Sequence, residues 1–113
     1  METWIIIVIV IAFLVWRMKP TKGVQSISAA QLKNMLNEKD KIFVDVRTPA
    51  EYKGRNIPQF KNIPLGSNFD KLPKDKEIVV ICQSGMRSSQ ACKQLKKQGF
   101  ERVTNVRGGM SAY

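Results

Sequence analysis

The chain has 113 residues, 43% hydrophobic and 25% charged, with a formal net charge of +10; that length holds one domain with a real core and is too short for two. It contains no histidine, which excludes Cys-His pairs, Ser-His-Asp triads and histidine-ligated metals.

From Trp4 to Trp16 the sequence carries no polar side-chain atom except two indole N–H groups. As a helix this run covers about 20 Å, short of a hydrocarbon core of roughly 30 Å unless Thr3 and Met18 extend it and Arg17 and Lys19 snorkel. A cleaved signal peptide wants cationic residues before the run and small ones after it. Glu2 precedes this run and Trp16-Arg17-Met18-Lys19-Pro20 closes it, so cleavage is not expected. A core helix apolar on all sides would need a larger protein around it. The expected organisation is a transmembrane anchor over 3–18, a linker over 19–23 and a folded domain over 24–113. Trp4 and Trp16 are placed like interface anchors, and the cationic Arg17, Lys19 and Lys22 follow the span. The positive-inside rule then puts the domain in the cytoplasm at the cell membrane, where both cysteines stay thiols.

Setting aside Arg17, Lys19, Lys22 and Glu2 leaves the domain at +8, a charge that suits anionic substrates, anionic lipid or nucleic acid. Lys93, Lys96 and Lys97 fall on the solvent face of a helix, and no aromatic residues alternate with the basic ones. A solvated face is the default reading, and nucleic acid is not an expected partner.

Along the domain, Val24 to Ser26 reads as a short strand. Ser28-Ala29-Ala30-Gln31 is a capping box with Ile27 and Leu32 as its hydrophobic staple, opening a helix whose stripe is Leu32, Met35 and Leu36. Ile42 to Val46 reads as a buried strand. Thr48-Pro49-Ala50-Glu51 is a second capping box with proline at the first helical position. A brief strand is expected around Lys61 to Pro64 and a helical turn over Asn68 to Leu72. Glu77 to Ile81 is a strand, Ser88 to Gln98 a helix stopped by Gly99, and Val103 to Val106 a last strand, after which Arg107-Gly108-Gly109-Met110 turns away. Alternating strands and helices predict an α/β class with a mostly parallel sheet.

The run Ile78-Val79-Val80-Ile81-Cys82 brings a cysteine into the loop Gln83-Ser84-Gly85, which closes on Met86-Arg87 and opens a helix. A thiolate is favoured at such a helix N-terminus, where unpaired N–H groups and the macrodipole meet a cation. Gly85 is free to turn several successive amides toward one sulfur, and Arg87 supplies fixed charge. With no histidine, Cys82 must be activated by backbone, dipole and arginine. Cys92 shares a helix face with Ala91 and Leu95 and reads as core.

Asp45-Val46-Arg47, Glu51-Tyr52, Asn62-Ile63-Pro64, the Cys82 to Ser88 loop, Gly99-Phe100 and Gly108-Gly109-Met110 together resemble the rhodanese family over nearly all of 24–113. The resemblance implies a three-layer α/β/α fold and a sulfurtransferase without cofactor or metal. In that family the cysteine matching Cys82 takes a sulfane sulfur from a small anionic donor such as thiosulfate. It becomes a persulfide and passes the sulfur to cyanide or to a thiol, which can be a protein thiol. The residues matching Gln83, Ser84, Gly85, Met86 and Arg87 surround the sulfur and bind substrate. Where members often carry Gly-His-Ile and then Gly-Ala, this chain has Arg55-Asn56-Ile57 and Gln59-Phe60, positions expected to lie away from the cysteine loop and to bear on donor or acceptor preference. Asp45, Arg47 and Glu51 read as structural. Two alternatives stand beside transfer: a non-catalytic docking module at the membrane, and a cysteine-dependent phosphatase. Phosphatases of a related fold place five residues between cysteine and arginine to wrap phosphate, and here four separate Cys82 from Arg87.

Overall fold

The computed structural model describes residues 3–18 and 23–113. An N-terminal helix α1 (Thr3–Met18) precedes an alternating series: β1 (Val24–Ile27), α2 (Ala29–Met35), β2 (Lys41–Asp45), α3 (Pro49–Gly54), β3 (Lys61–Asn62), β4 (Glu77–Ile81), α4 (Met86–Lys97), β5 (Val103–Val106) and α5 (Gly109–Ala112). The five strands form one sheet in the order β1-β5-β4-β2-β3, with every pairing parallel.

The central strand β4 is buried from Ile78 to Ile81 because the sheet is covered on both faces. Strand alternation sends Ile78, Val80 and Cys82 to one side, where Ala91, Cys92 and Leu95 of α4 meet them. Val79 and Ile81 point the other way, onto Ile27, Leu32, Phe60 and Met110. That is the three-layer α/β/α arrangement the resemblance implies. Because all strands run the same way, the chain leaves β2, β4 and β5 at one end of the sheet, the end where open α/β sheets hold their ligands.

Both capping boxes form as read: Ser28 and Gln31 bond reciprocally at α2, Thr48 and Glu51 at α3, with Pro49 at the start. Ile27 and Leu32 share one cluster as a staple should. Asn68 to Leu72 forms a single turn and not a longer helix: Leu72 N–H donates to Phe69 O at 3.0 Å, after an Asx turn in which the Asn68 side chain accepts from Asp70 N–H at 2.7 Å. At the C-terminal end a short helix, α5, replaces the expected turn. Gly108 and Gly109 take φ of 73° and 54°, which swings the chain back so that Met110 packs into the core.

The transmembrane expectation is corrected. The apolar run is helical, but α1 has 16 residues, about 24 Å at 1.5 Å per residue against a hydrocarbon core of roughly 30 Å. Among the described residues no helix is long and apolar enough to cross a membrane. Residues 3–13 are exposed, with Trp4, Ile6 and Ile9 each more than half so. The side chains of Trp16 and Arg17, and the linker residues 19–22 with Lys19 and Lys22, lie outside the described residues, so the interface anchor and the charge asymmetry read from them go with them.

Candidate active site

Cys82 leaves β4 fully buried, with the exposed Gln83 and Ser84 above it. Gly85 adopts φ 103°, a left-handed conformation that lets α4 begin at Met86, two residues earlier than the apolar pattern places it. Met86 and Arg87 therefore belong to the first helical turn, and the amides of Ser84, Gly85 and Ser88 converge on the sulfur. The Gly85 N–H donates to Cys82 Sγ at 3.0 Å, and Ser88 Oγ lies 3.3 Å from the same atom. Burial pushes the Cys82 thiol up, but the Ser88 hydroxyl and the backbone N–H groups of Ser88, Gly85 and Ser84 outweigh it and hold the thiol below the ordinary cysteine value.

Cys92 is the contrasting case. It is buried in the face of α4, and desolvation, followed by the charge of Cys82, pushes its thiol up to about 12. An alkylation profile read by peptide mass should therefore split the two: Cys82 reacts with a midpoint below that of a free thiol, and Cys92 stays unmodified until about pH 12 or until the fold opens. Equal midpoints would show that the loop does not tune the sulfur.

Arg87 does not touch the sulfur. Its two terminal nitrogens grip Glu51 of α3, Nη1 to Oε1 at 2.7 Å and Nη2 to Oε2 at 2.9 Å. This pair, then the Thr48 amide, draws the Glu51 carboxyl down to about 2. Besides capping α3 through Oε1, Glu51 thus holds the loop arginine with both carboxylate oxygens. Gln83 is likewise drawn into the wall. Arg47 Nη1 donates to its Oε1 at 3.4 Å, its Nε2 donates to Ser111 Oγ at 3.2 Å, and its carbonyl accepts from Ser111 N–H at 3.0 Å. The Met86 side chain stands 75% exposed at the rim, and Ser84 offers its amide, with its side chain facing solvent. Of the five loop residues read as surrounding the sulfur, Gly85 and Ser84 do so through N–H groups.

Asp45 and Arg47 take the structural role read for them. Arg47 donates to Asp45 through Nε and Nη2, the latter at 2.8 Å, with both side chains buried, and Nη2 also donates to the Arg55 carbonyl at 2.6 Å. The expectation that Arg55 lies away from the cysteine loop is corrected. Its Nη1 donates to Met110 O at 3.4 Å, and Met110 N–H donates to Cys82 O at 2.8 Å, so one residue separates Arg55 from the cysteine backbone. Chain folding, with α5 turned back over the loop, brings them together.

Two participants were not picked out from sequence. Ser88 was read only as a helix start, yet it is the one hydroxyl on the sulfur. Gly109 sits where a Cβ would overlap the Cys82 carbonyl. The position of Ser88, six residues beyond a strand-end cysteine, was the signal available for the first. Among the described residues, no group of three or more His, Cys, Asp or Glu side chains is placed to hold a metal ion. The site instead presents one covered sulfur, converging amide donors and a hydroxyl, an arrangement that stabilises negative charge on sulfur.

The family model for the rhodanese-like domain matches residues 28–113. A sulfurtransferase of Allochromatium vinosum is 40% identical over 82 residues, spanning 70% of this chain and 77% of that protein. The Bacillus subtilis protein YtwF is 43% identical over 94 residues, spanning 80% of this chain and 90% of its own length. The crystal structure of a rhodanese-like domain protein from Staphylococcus aureus superposes with a TM-score of 0.72 at 36% identity, covering 78% of this chain and 89% of that one.

Proposed function

The chain belongs to the rhodanese-like domain family, and from that premise we propose that it is a sulfurtransferase working through a persulfide on Cys82. The observation that carries this reading is the sulfur's surroundings: the Gly85 amide at 3.0 Å and the Ser88 hydroxyl at 3.3 Å, on a thiol held below its ordinary value. The Cys82 thiolate attacks the outer sulfur of thiosulfate. The donor's S–S bond breaks, sulfite leaves with the electron pair, and the new bond joins Sγ to the transferred sulfur. An acceptor thiolate, or cyanide, then attacks the outer sulfur and Cys82 leaves as thiolate. No proton donor is needed in either step, which suits a chain without histidine. Because Cys82 is wholly covered, the exposed residues Gln83 and Ser84 must yield for a donor to reach it.

Charge supports a small anionic donor. Glu38, Asp40, Asp75, Glu77 and Glu101 precede or open β2, β4 and β5, at the end of the sheet away from the loop. At the cysteine end Asp45 and Glu51 are held by Arg47 and Arg87. Arg107 follows β5 and Arg55 reaches Met110; neither is in an ion pair among the described residues. Arg55 and Arg107 thus leave two guanidinium charges outside ion pairs on the side of the sheet where an anionic donor would enter.

The helix α1 adds a location. Its described side chains, Thr3 to Phe13, are exposed and, after Thr3, wholly apolar, which fits a segment that seats the domain against a lipid bilayer.

Intact mass tests the transfer. The full chain incubated with thiosulfate should gain one sulfur, and cyanide should discharge it as thiocyanate. Turnover of a phosphate ester without sulfur uptake would replace this reading with the phosphatase one; neither activity would leave a docking module.

A further inference from the structure

Ser88 is fully buried, and its single hydroxyl proton has three acceptors within reach: Cys82 Sγ at 3.3 Å, the Gly85 carbonyl at 3.1 Å and Asn105 Oδ1 at 2.5 Å. One proton serves one of them at a time. The shortest of the three contacts is the one to Asn105, from the neighbouring strand. Asn105 lies on β5 in register with Val80 of β4. Alternation along β5 puts it on the same face as Val103, which packs in the α4 cluster. An amide on that face interrupts an otherwise apolar layer, and its oxygen is spent on Ser88.

We propose that Asn105 is a positioning residue for the reacting sulfur, competing with it for the Ser88 proton and thereby limiting how firmly the loop holds charge on Cys82. With the hydroxyl turned to Asn105, a neutral thiol can donate its own proton to Ser88 Oγ. When the sulfur ionises, the hydroxyl must leave Asn105 to reach it. The amide thus acts as a brake on ionisation. There is chemical sense in one, because thiolate nucleophilicity falls as pKa falls, and the best attacking thiol has a pKa near the ambient pH. A loop delivering several amides and an uncontested hydroxyl would stabilise the thiolate at the expense of its attack on a donor.

The proposal rests on Cys82 being the reacting thiol. The other charged or titratable groups around it are Arg87 and Cys92 from α4, the Asp45–Arg47 pair at the end of β2, Glu51 from α3, and the exposed Arg107 after β5. None is altered by a change at position 105.

The test is the pH profile of Cys82 alkylation by iodoacetamide in the full chain, read by peptide mass, with melting temperature as a check on folding. Asn105→Ala removes the competing acceptor, so the midpoint should move down and alkylation at pH 6 should quicken several-fold. Asn105→Asp supplies a stronger acceptor, and alkylation at pH 7 should slow about tenfold, one unit of pKa. In a Ser88→Ala background the acceleration by Asn105→Ala should vanish, since there is no proton left to compete for. Asn105→Asp also brings a negative charge that disfavours a nearby thiolate by itself, so only the part of each shift that Ser88→Ala abolishes is assigned to the hydroxyl. Slower alkylation in Asn105→Ala, as an amide donating to Ser88 would give, or an acceleration that persists without the Ser88 hydroxyl, overturns the proposal. Thiosulfate uptake by the wild type is scored separately: its absence would defeat the sulfurtransferase reading, while the alkylation shifts would still decide the role of Asn105.

Discussion

Cys82→Ser should take up no sulfur: after incubation with thiosulfate its intact mass is expected to stay unchanged and no thiocyanate to form with cyanide, whereas Cys92→Ser should gain one sulfur and turn over like the wild type. The loss is expected to be complete, because a serine hydroxyl in the same cup is neither ionised near neutral pH nor able to form the S–S bond that stores the transferred atom. Cys92 cannot substitute. It is buried in the face of α4, with a thiol pushed up to about 12, so almost none of it is ionised where Cys82 works. The variant should fold, since the serine hydroxyl can accept the Gly85 N–H that the sulfur accepts at 3.0 Å. Uptake that survives Cys82→Ser and disappears with Cys92→Ser would move the site to α4.

The second large effect belongs to a residue that carries no chemistry. Gly109→Ala should destabilise the fold by about 3–5 kcal/mol, in the range reserved for backbone clashes and special conformations. The added Cβ would overlap the Cys82 carbonyl oxygen and stand 2.9 Å from the carbonyl carbons of Cys82 and Gln83, at a φ of 54° that a side chain resists. Backbone occupies all three places, so no side chain can swing aside. Relief requires α5 to lift, and that breaks the Met110 N–H bond to Cys82 O at 2.8 Å and the Ser111 N–H bond to Gln83 O at 3.0 Å. Those bonds fix the first two residues of the sulfur loop, so sulfur uptake should fall with stability. Thermal melts read it: a drop of at least about 12 °C for a domain of this size. Gly54→Ala is the control, because nothing lies within 4 Å of its Cβ position and its φ is not positive. A Gly109→Ala protein that melts like Gly54→Ala would show that α5 does not brace the loop.

Much of the fold was legible in the sequence because its signals are local. A capping box is a reciprocal bond between residues three apart, so Ser28-Gln31 and Thr48-Glu51 could be read without knowing what surrounds them. The central strand announced itself as an apolar run bounded by polar residues. The start of α4 was misplaced by two residues for an equally local reason. Helical periodicity begins to count at buried Ser88, whereas the helix itself begins where Gly85 turns the chain, and a glycine's φ leaves no mark in the pattern.

The cysteine, the amide-bearing loop and the absence of a histidine base were fixed by residue identity, because ionisation, conformational freedom and the number of available bases belong to the residues themselves. Tertiary structure alone decided the partners. Glu51 turns Arg87 aside from the sulfur across 36 positions, Asn105 reaches Ser88 from another strand, and Arg55 meets the carbonyl of Met110 because α5 folds back over the loop. Such contacts depend on which strands lie side by side in a parallel sheet, and strand order follows from how the two helical layers cover it, which no run of neighbouring residues encodes.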